Sequence, residues 1–214
     1  MPAVFVTASG TDIGKTFIAE AMLRQWRAAG HQVAVLKPVI SGFDPADAGE
    51  TDTVRLLAAA GAEVTDESIA LVSPWRYAAP LSPDMAAALE GRTVPVDDVV
   101  SYCLAAIAEA DEAGMYLLIE GIGGVMVPLD ETRTVADLIA SLGIPTIVVG
   151  GSYLGSLSHT LTACEALQTR GAPIDTIVIS ETRDSDVPLA ETRDTVARFV
   201  GNIPVEVVAY QPPA

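Results

Sequence analysis

Six short, β-branched apolar runs alternate with six helical segments along this chain, and few architectures accept that order. The runs are Val4–Thr7, Val33–Leu36, Met115–Ile119, Pro145–Val149, Ile174–Ile179 and Val205–Val208. They are mostly apolar without strict alternation, as in strands covered on both faces. Between them the pattern predicts helices over Lys15–Ala29, Thr51–Ala60, Val96–Asp111, Thr134–Leu142, Ser156–Gln168 and Pro188–Phe199. Gly30, Gly143 and Gly171 stand just past three of these helices, where a left-handed cap residue belongs. Repeated strand–helix–strand units with short connections imply right-handed crossovers and an α/β, doubly wound, mostly parallel sheet. The segment Gly61–Arg92 breaks the rhythm: it is rich in Pro, Ala and Ser and shows no convincing strand. It is expected to be an excursion of short helices and loops near the active face of one domain spanning residues 1–214.

Charge and composition exclude several functions. A net charge of −16 opposes binding to nucleic acid or an anionic membrane. No apolar run reaches the roughly 18 residues of a membrane span. The start Met1-Pro2-Ala3 lacks the basic region of a signal peptide, so a cytoplasmic location is expected. Cys103 and Cys164 both fall in predicted helices and read as buried thiols rather than a disulfide. The acidic balance also gives each lysine weight. Of the 12 Lys and Arg residues only two are lysines, Lys15 and Lys37, each near the end of a predicted strand. Surface solubility does not explain that distribution.

Lys15 closes the run Ala8-Ser9-Gly10-Thr11-Asp12-Ile13-Gly14-Lys15-Thr16, which joins the first strand to the first helix. Backbone N–H groups of such a loop, backed by a helix N-terminus, cradle phosphate. The lysine adds charge at the outer phosphates, and the threonine hydroxyl is a Mg²⁺ ligand. Against the pattern G-x-x-x-x-G-K-S/T, Ser9 occupies the place of the first glycine, with Gly10 beside it. The context remains that of a P-loop NTPase-like fold.

Lys37 follows the second strand in Lys37-Pro38-Val39-Ile40-Ser41-Gly42. Strand C-termini of an open parallel sheet line one crevice, so Lys37 is expected beside the phosphate loop. Two lysines at one site suit a transferring phosphoryl group, and Ser41 can hydrogen-bond a substrate. Mg²⁺ needs further hard oxygen ligands, for which Asp52 and Glu120 are the candidates. Asp52 equally suits the dipole at a helix start. Glu120 ends an apolar strand and precedes Gly121-Ile122-Gly123-Gly124, a sequence suited to a metal acid and a backbone passage around a ligand. Gly155–His159 opens another helix after a strand, whose N–H groups can hold a carboxylate. His159 by itself reads as a structural histidine.

In order and combination these stretches resemble dethiobiotin synthetases over nearly the whole chain. The resemblance rests on Val6–Thr16, Lys37–Gly42, Ala79-Pro80-Leu81-Ser82-Pro83, Glu120–Gly124 and Leu154–His159, with Lys37-Pro38-Val39-Ile40-Ser41-Gly42 the most telling. It implies a homodimeric, Mg²⁺- and ATP-dependent enzyme that closes the ureido ring of dethiobiotin from 7,8-diaminononanoate and CO₂ through a carbamic–phosphoric anhydride. Lys15 and Lys37 would be catalytic, and Thr16, Asp52 and Glu120 would hold Mg²⁺. Asp12, Ile13, Gly14, Lys15, Thr16, Phe17, Glu120, Gly121, Gly123, Ser180, Pro204, Val205 and Glu206 would bind the nucleotide. Thr11 and Ser41 would orient the substrate, and Gly155, Ser156 and Ser158 would take its carboxylate from the neighbouring subunit. Ile179-Ser180-Glu181 departs from the family's usual Asn-Asp pair. Ser180 lacks the paired donor and acceptor of an amide, which opens the base site to CTP or other nucleotides. A switch-type partitioning ATPase on the same fold is the alternative, although Ala8, Ser9 and Gly10 stand where such proteins carry a further lysine.

Overall fold

The computed structural model describes residues 3–210, apart from the side chains at positions 47, 48 and 50. Six strands form the main sheet: β1 Ala3–Ala8, β2 Val33–Leu36, β5 Tyr116–Glu120, β6 Thr146–Gly151, β7 Ile174–Ser180 and β8 Val205–Val208. Their order is β2-β5-β1-β6-β7-β8, and every pairing is parallel. The expected doubly wound sheet is present, with no antiparallel strand among the described residues.

Period-two side-chain alternation splits the core into two layers. Ala3, Phe5, Leu117, Ile119, Ile177 and Ile179 face one layer, beneath α5 Val96–Ala113, α6 Val135–Leu142, α7 Ser156–Thr169 and α8 Leu189–Phe199. Val4, Val6, Ala8, Leu118, Ile147 and Val178 face the other, covered by α1 Lys15–Ala28, α2 Asp52–Ala60 and α3 Asp66–Val72. Local chemistry sets the helix ends. Thr51 caps α2 by accepting from the Val54 N–H, Thr65 and Ser68 form a capping box on α3, and Thr134 with Asp137 does the same for α6. Gly30, Gly143 and Gly171 are all left-handed, as their positions predicted.

Two short strands were not legible. Within the excursion, β4 Trp75–Tyr77 pairs in parallel with β3 Val39–Ser41, forming a second sheet, and α4 Pro83–Leu89 follows. Three residues are too few to display a period; Tyr77, fully buried, is held there by packing from the rest of the chain. The excursion also meets the segment after Lys37, where Gly42 lies against Pro80 and its N–H donates to the Ala79 carbonyl.

Candidate active site

β1 is central, so the loop leaving it emerges at the middle of the crevice formed by the strand C-termini. Gly14, at φ 100°, turns the chain into α1 without a side-chain cap, which leaves the first N–H groups of the helix free for an anion. A Cβ at Gly14 would lie 3.0 Å from the Ser180 hydroxyl. Gly124 is equally constrained: a Cβ there would fall 3.1 Å from the Gly10 Cα, so the loop after β5 passes directly against the phosphate loop.

Adjacent strands then bring the charges together. β5 lies between β1 and β2, so Lys37 does not emerge directly beside the phosphate loop but reaches it across Glu120. Glu120, fully buried at the end of β5, accepts from the Thr16 hydroxyl at 3.0 Å and from the Lys37 ammonium. Lys37 also pairs with Asp52 at 2.8 Å. Burial works against the Lys37 charge, but the Glu120 and Asp52 carboxylates overcome it and hold its pKa above the ordinary lysine value. Burial likewise opposes the Asp52 charge, and Lys37, with help from the Thr16 hydroxyl, brings its carboxyl below the usual range. Lys15 is in the opposite position. Burial, and then repulsion by Lys37, lower its pKa, and it makes no ion pair among the described residues. An unpaired cation is thus held at the mouth of an anion cradle.

The same oxygens suit Mg²⁺. Thr16, Asp52 and Glu120 present hard donors within one cluster, and Glu120 Oε2 is buried without a hydrogen-bond partner. No group of three His, Cys, Asp or Glu capable of holding a metal occurs among the described residues. Mg²⁺ takes one or two carboxylates and fills its shell with phosphate and water.

Three cavities run in sequence along the crevice. The first, about 450 Å³, holds Lys15, Thr16, Lys37, Ser41, Asp52 and Gly123 in its wall, together with Phe43 and Arg55. Asp12, Gly14 and Phe17 divide it from a second cavity of about 300 Å³, lined also by Ile13, Ser180, Thr182, Arg183 and Tyr210. On the other side Thr11 is shared with a groove of about 400 Å³, walled by Val125, Met126, Val127, Pro128, His159 and Ala163.

Not every expected residue reaches these cavities. Gly121 turns into the core, where its N–H donates to the Val6 carbonyl and Phe5 packs against it. Pro204, Val205 and Glu206 lie at the start of β8, and the Pro204 carbonyl accepts from Ile177. Ser180 is instead in register with Val208, so Tyr210 reaches the second cavity and Pro204–Glu206 do not. The crevice rule itself points past Val208, a signal available in the sequence. Gly155, Ser156 and Ser158 begin α7 outside all three cavities of their own chain. His159 is exposed, bonded through Nδ1 to the Tyr153 hydroxyl at 2.8 Å, and borders the groove. Phe43, Arg55, Tyr210 and the groove residues had no local motif to mark them.

A strand-to-helix loop of free N–H groups, carrying a lysine and backed by oxygens competent for a divalent cation, defines a P-loop nucleotide-binding protein. Solved structures agree on the fold. The chain covers 97% of its own length on the signal recognition particle 54 kDa protein of Aeropyrum pernix, with a TM-score of 0.58 and 13% identity, spanning 41% of that chain. It covers 99% of its length on the MinC:MinD cell division complex of Aquifex aeolicus, with a TM-score of 0.57 and 11% identity, spanning 83% of that chain. At such identities the likeness concerns the fold alone. A family described as an AAA domain matches residues 2–213. The ATP-dependent dethiobiotin synthetase BioD of Acidiphilium cryptum is 50% identical over 95% of this chain and 91% of its own. That of Methylobacterium nodulans is 44% identical over 94% and 90%. The chain belongs to the dethiobiotin synthetase family.

Proposed function

We propose that the first cavity takes the triphosphate, the second the base and the groove the diamine of an ATP-dependent dethiobiotin synthesis carried out by one α/β domain. The family is that of ATP-dependent ligases of biotin biosynthesis, with ATP as co-substrate and 7,8-diaminononanoate and CO₂ as the other reactants. The observation that carries the assignment of residues is the continuity of the crevice. A cavity with both lysines of the chain in its wall shares Thr11 with an adjoining apolar groove fit for an aliphatic diamine.

One substrate amine adds to CO₂ and loses a proton, giving a carbamate. A carbamate oxygen attacks the γ-phosphorus, the bond to the bridging oxygen breaks, and ADP leaves. The second amine then attacks the carbonyl carbon, closes the ring and expels phosphate. Lys37, kept protonated by Glu120 and Asp52, holds a fixed positive charge where the carbamate and phosphoryl oxygens meet. Lys15 would lie against the outer phosphates, whose charge favours the protonated form that burial disfavours. Thr11 and Ser41 hydroxyls orient the carbamate. Thr16, Asp52 and Glu120 would hold Mg²⁺, which would supply positive charge to the phosphate oxygens.

The base cavity offers the Ser180 and Thr182 hydroxyls and the Tyr210 residue, with no amide side chain at position 180. It therefore accepts CTP and other nucleotides as well as ATP. Gly155 and Ser158, both exposed beside Leu154 at 94%, serve a partner's groove, whereas Ser156 is fully buried, its N–H donating to the Tyr153 carbonyl and its hydroxyl accepting from the Tyr153 N–H, and it shapes the turn instead. The active species is a homodimer, and light scattering with assay would contradict this by finding a fully active monomer. The location is cytoplasmic; no helix among the described residues is long and apolar enough to cross a membrane.

Phosphate release from MgATP and bicarbonate, with and without 7,8-diaminononanoate, tests the reaction. Release that depends on the diamine, with a product heavier by one carbonyl less two hydrogens, is expected. Release indifferent to the diamine would remove the reading.

A further inference from the structure

Thr16 belongs to the first turn of α1 and Asp52 to the first turn of α2, so the distance between these two oxygen donors is set by how the helices pack. One turn further along, Glu20 on α1 meets Arg55 on α2. Glu20 is 6% exposed and accepts from Arg55 Nε at 2.7 Å and from Arg24 at 3.0 Å. Thr16 to Glu20 is a step of four residues and Asp52 to Arg55 a step of three, so both pairs lie on the facing sides of the two helices. A second link, from Arg27 to the Ala59 carbonyl at 3.2 Å, joins the far ends.

We infer that Glu20 and Arg55 are positioning residues that set the spacing of Thr16 and Asp52 and thereby the affinity for the divalent cation. The inference rests on the assignment of Thr16 and Asp52 to Mg²⁺ proposed above. Arg55 is half-exposed and lines the phosphate cavity, but its Nε is committed to Glu20. Glu20, buried and held by two arginines, fixes how the first turns of the two helices face each other. Outer residues that orient metal ligands commonly change metal affinity by about 10–100-fold when removed. Arg27 provides the comparison, because it ties the same helices without lying near Thr16 or Asp52.

The test is a calorimetric titration of Mg²⁺ into the protein saturated with a non-hydrolysable ATP analogue, alongside analogue binding in EDTA. Arg55→Ala and Glu20→Gln are expected to raise the Mg²⁺ half-saturation about tenfold, and Glu20→Gln, which lies outside the cavity, leaves analogue binding in EDTA unchanged. Arg55→Lys should recover part of the loss, and Arg27→Ala should lower Tm without moving the Mg²⁺ curve. Glu20→Gln preserves shape, so it decides the matter if Arg55→Ala does not fold. Half-saturation within twofold of wild type in both variants would overturn the inference. So would an equal rise in Arg27→Ala, which would mean general loosening, or an equal loss in EDTA, which would mean that Arg55 touches phosphate directly. Asp52→Asn separates this from the underlying reading. If it weakens Mg²⁺ while the Glu20 and Arg55 variants do not, only the positioning role fails; if it leaves Mg²⁺ unchanged, the metal assignment fails with it.

Discussion

The phosphate cavity and the base cavity share Asp12, Gly14 and Phe17 as a common wall, yet their sides are built from different chemistry. In the first, Lys15, Lys37 and Thr16 are all nearly buried, and the last two are bonded to Glu120, fully buried behind the wall. In the second, Thr182, Arg183 and Tyr210 lie near the surface, and the buried Ser180 offers one hydroxyl. Buried charges tolerate little change, because removing one partner leaves the other desolvated and unpaired. A hydroxyl at the edge of water discriminates weakly, since solvent replaces whatever a ligand lacks. The chemistry of transfer is thus held rigidly and the identity of the base loosely.

The largest expected effect comes from Lys37→Ala. Loss of a preorganised charge at the reacting oxygens should lower kcat about 10²–10³-fold. Glu120 would remain buried without its cation, costing about 3–5 kcal/mol of stability. Steady-state phosphate release and denaturant titration measure the two losses, and a variant within tenfold of wild-type kcat would break the contrast between the cavities.

Lys15→Met sharpens the comparison by separating activity from stability. Turnover should collapse, while the ligand-free protein becomes more stable. Burial, and then Lys37, hold the Lys15 pKa below its ordinary 10.5, so the folded state binds this proton less tightly than the unfolded chain. The charged form therefore opposes folding at neutral pH, and that penalty disappears as pH rises beyond the unfolded value. Tm should rise at neutral pH, with the gain shrinking as pH climbs towards the unfolded value of 10.5 and absent above it. A Tm that falls at neutral pH would show Lys15 to be stabilising and its environment misjudged.

The smallest effect belongs to the base end. Across ATP, CTP and GTP, kcat/KM should differ by no more than about tenfold in wild type, and Ser180→Asn should shift the balance towards ATP by a few-fold with kcat unchanged. Exclusive use of ATP by the wild-type protein would make the two cavities equally selective.

The parts of this site that could be read beforehand are those announced by local pattern. Lys15 and Thr16 open a helix after a strand, Lys37 and Glu120 end strands, and the scarcity of lysine draws attention to both cations. Ser180 was found through the family resemblance, as the residue standing where an asparagine is usual. Arg55 and Glu20 were not, because each has the appearance of an ordinary helix-surface charge until α1 and α2 are packed together. Tyr210 was overlooked for a related reason: the pairing of Ser180 with Val208 places the end of β8, rather than its start, at the cavity. The β3–β4 pair escaped because its strands are three residues long and exist only through each other.

The residues in order thus specified the alternation of strands and helices, the phosphate loop, and the two lysines and Glu120 at strand ends, since periodicity, caps and loop chemistry act within a few positions along the chain. Tertiary structure alone decided that β5 lies between β1 and β2, that Lys37 bridges Glu120 and Asp52, and that Glu20 meets Arg55. The Lys37–Glu120 and Glu20–Arg55 contacts join residues 83 and 35 positions apart in the chain. Their strength comes from burial and from the exclusion of water, conditions that no local segment meets until the layers have closed around it.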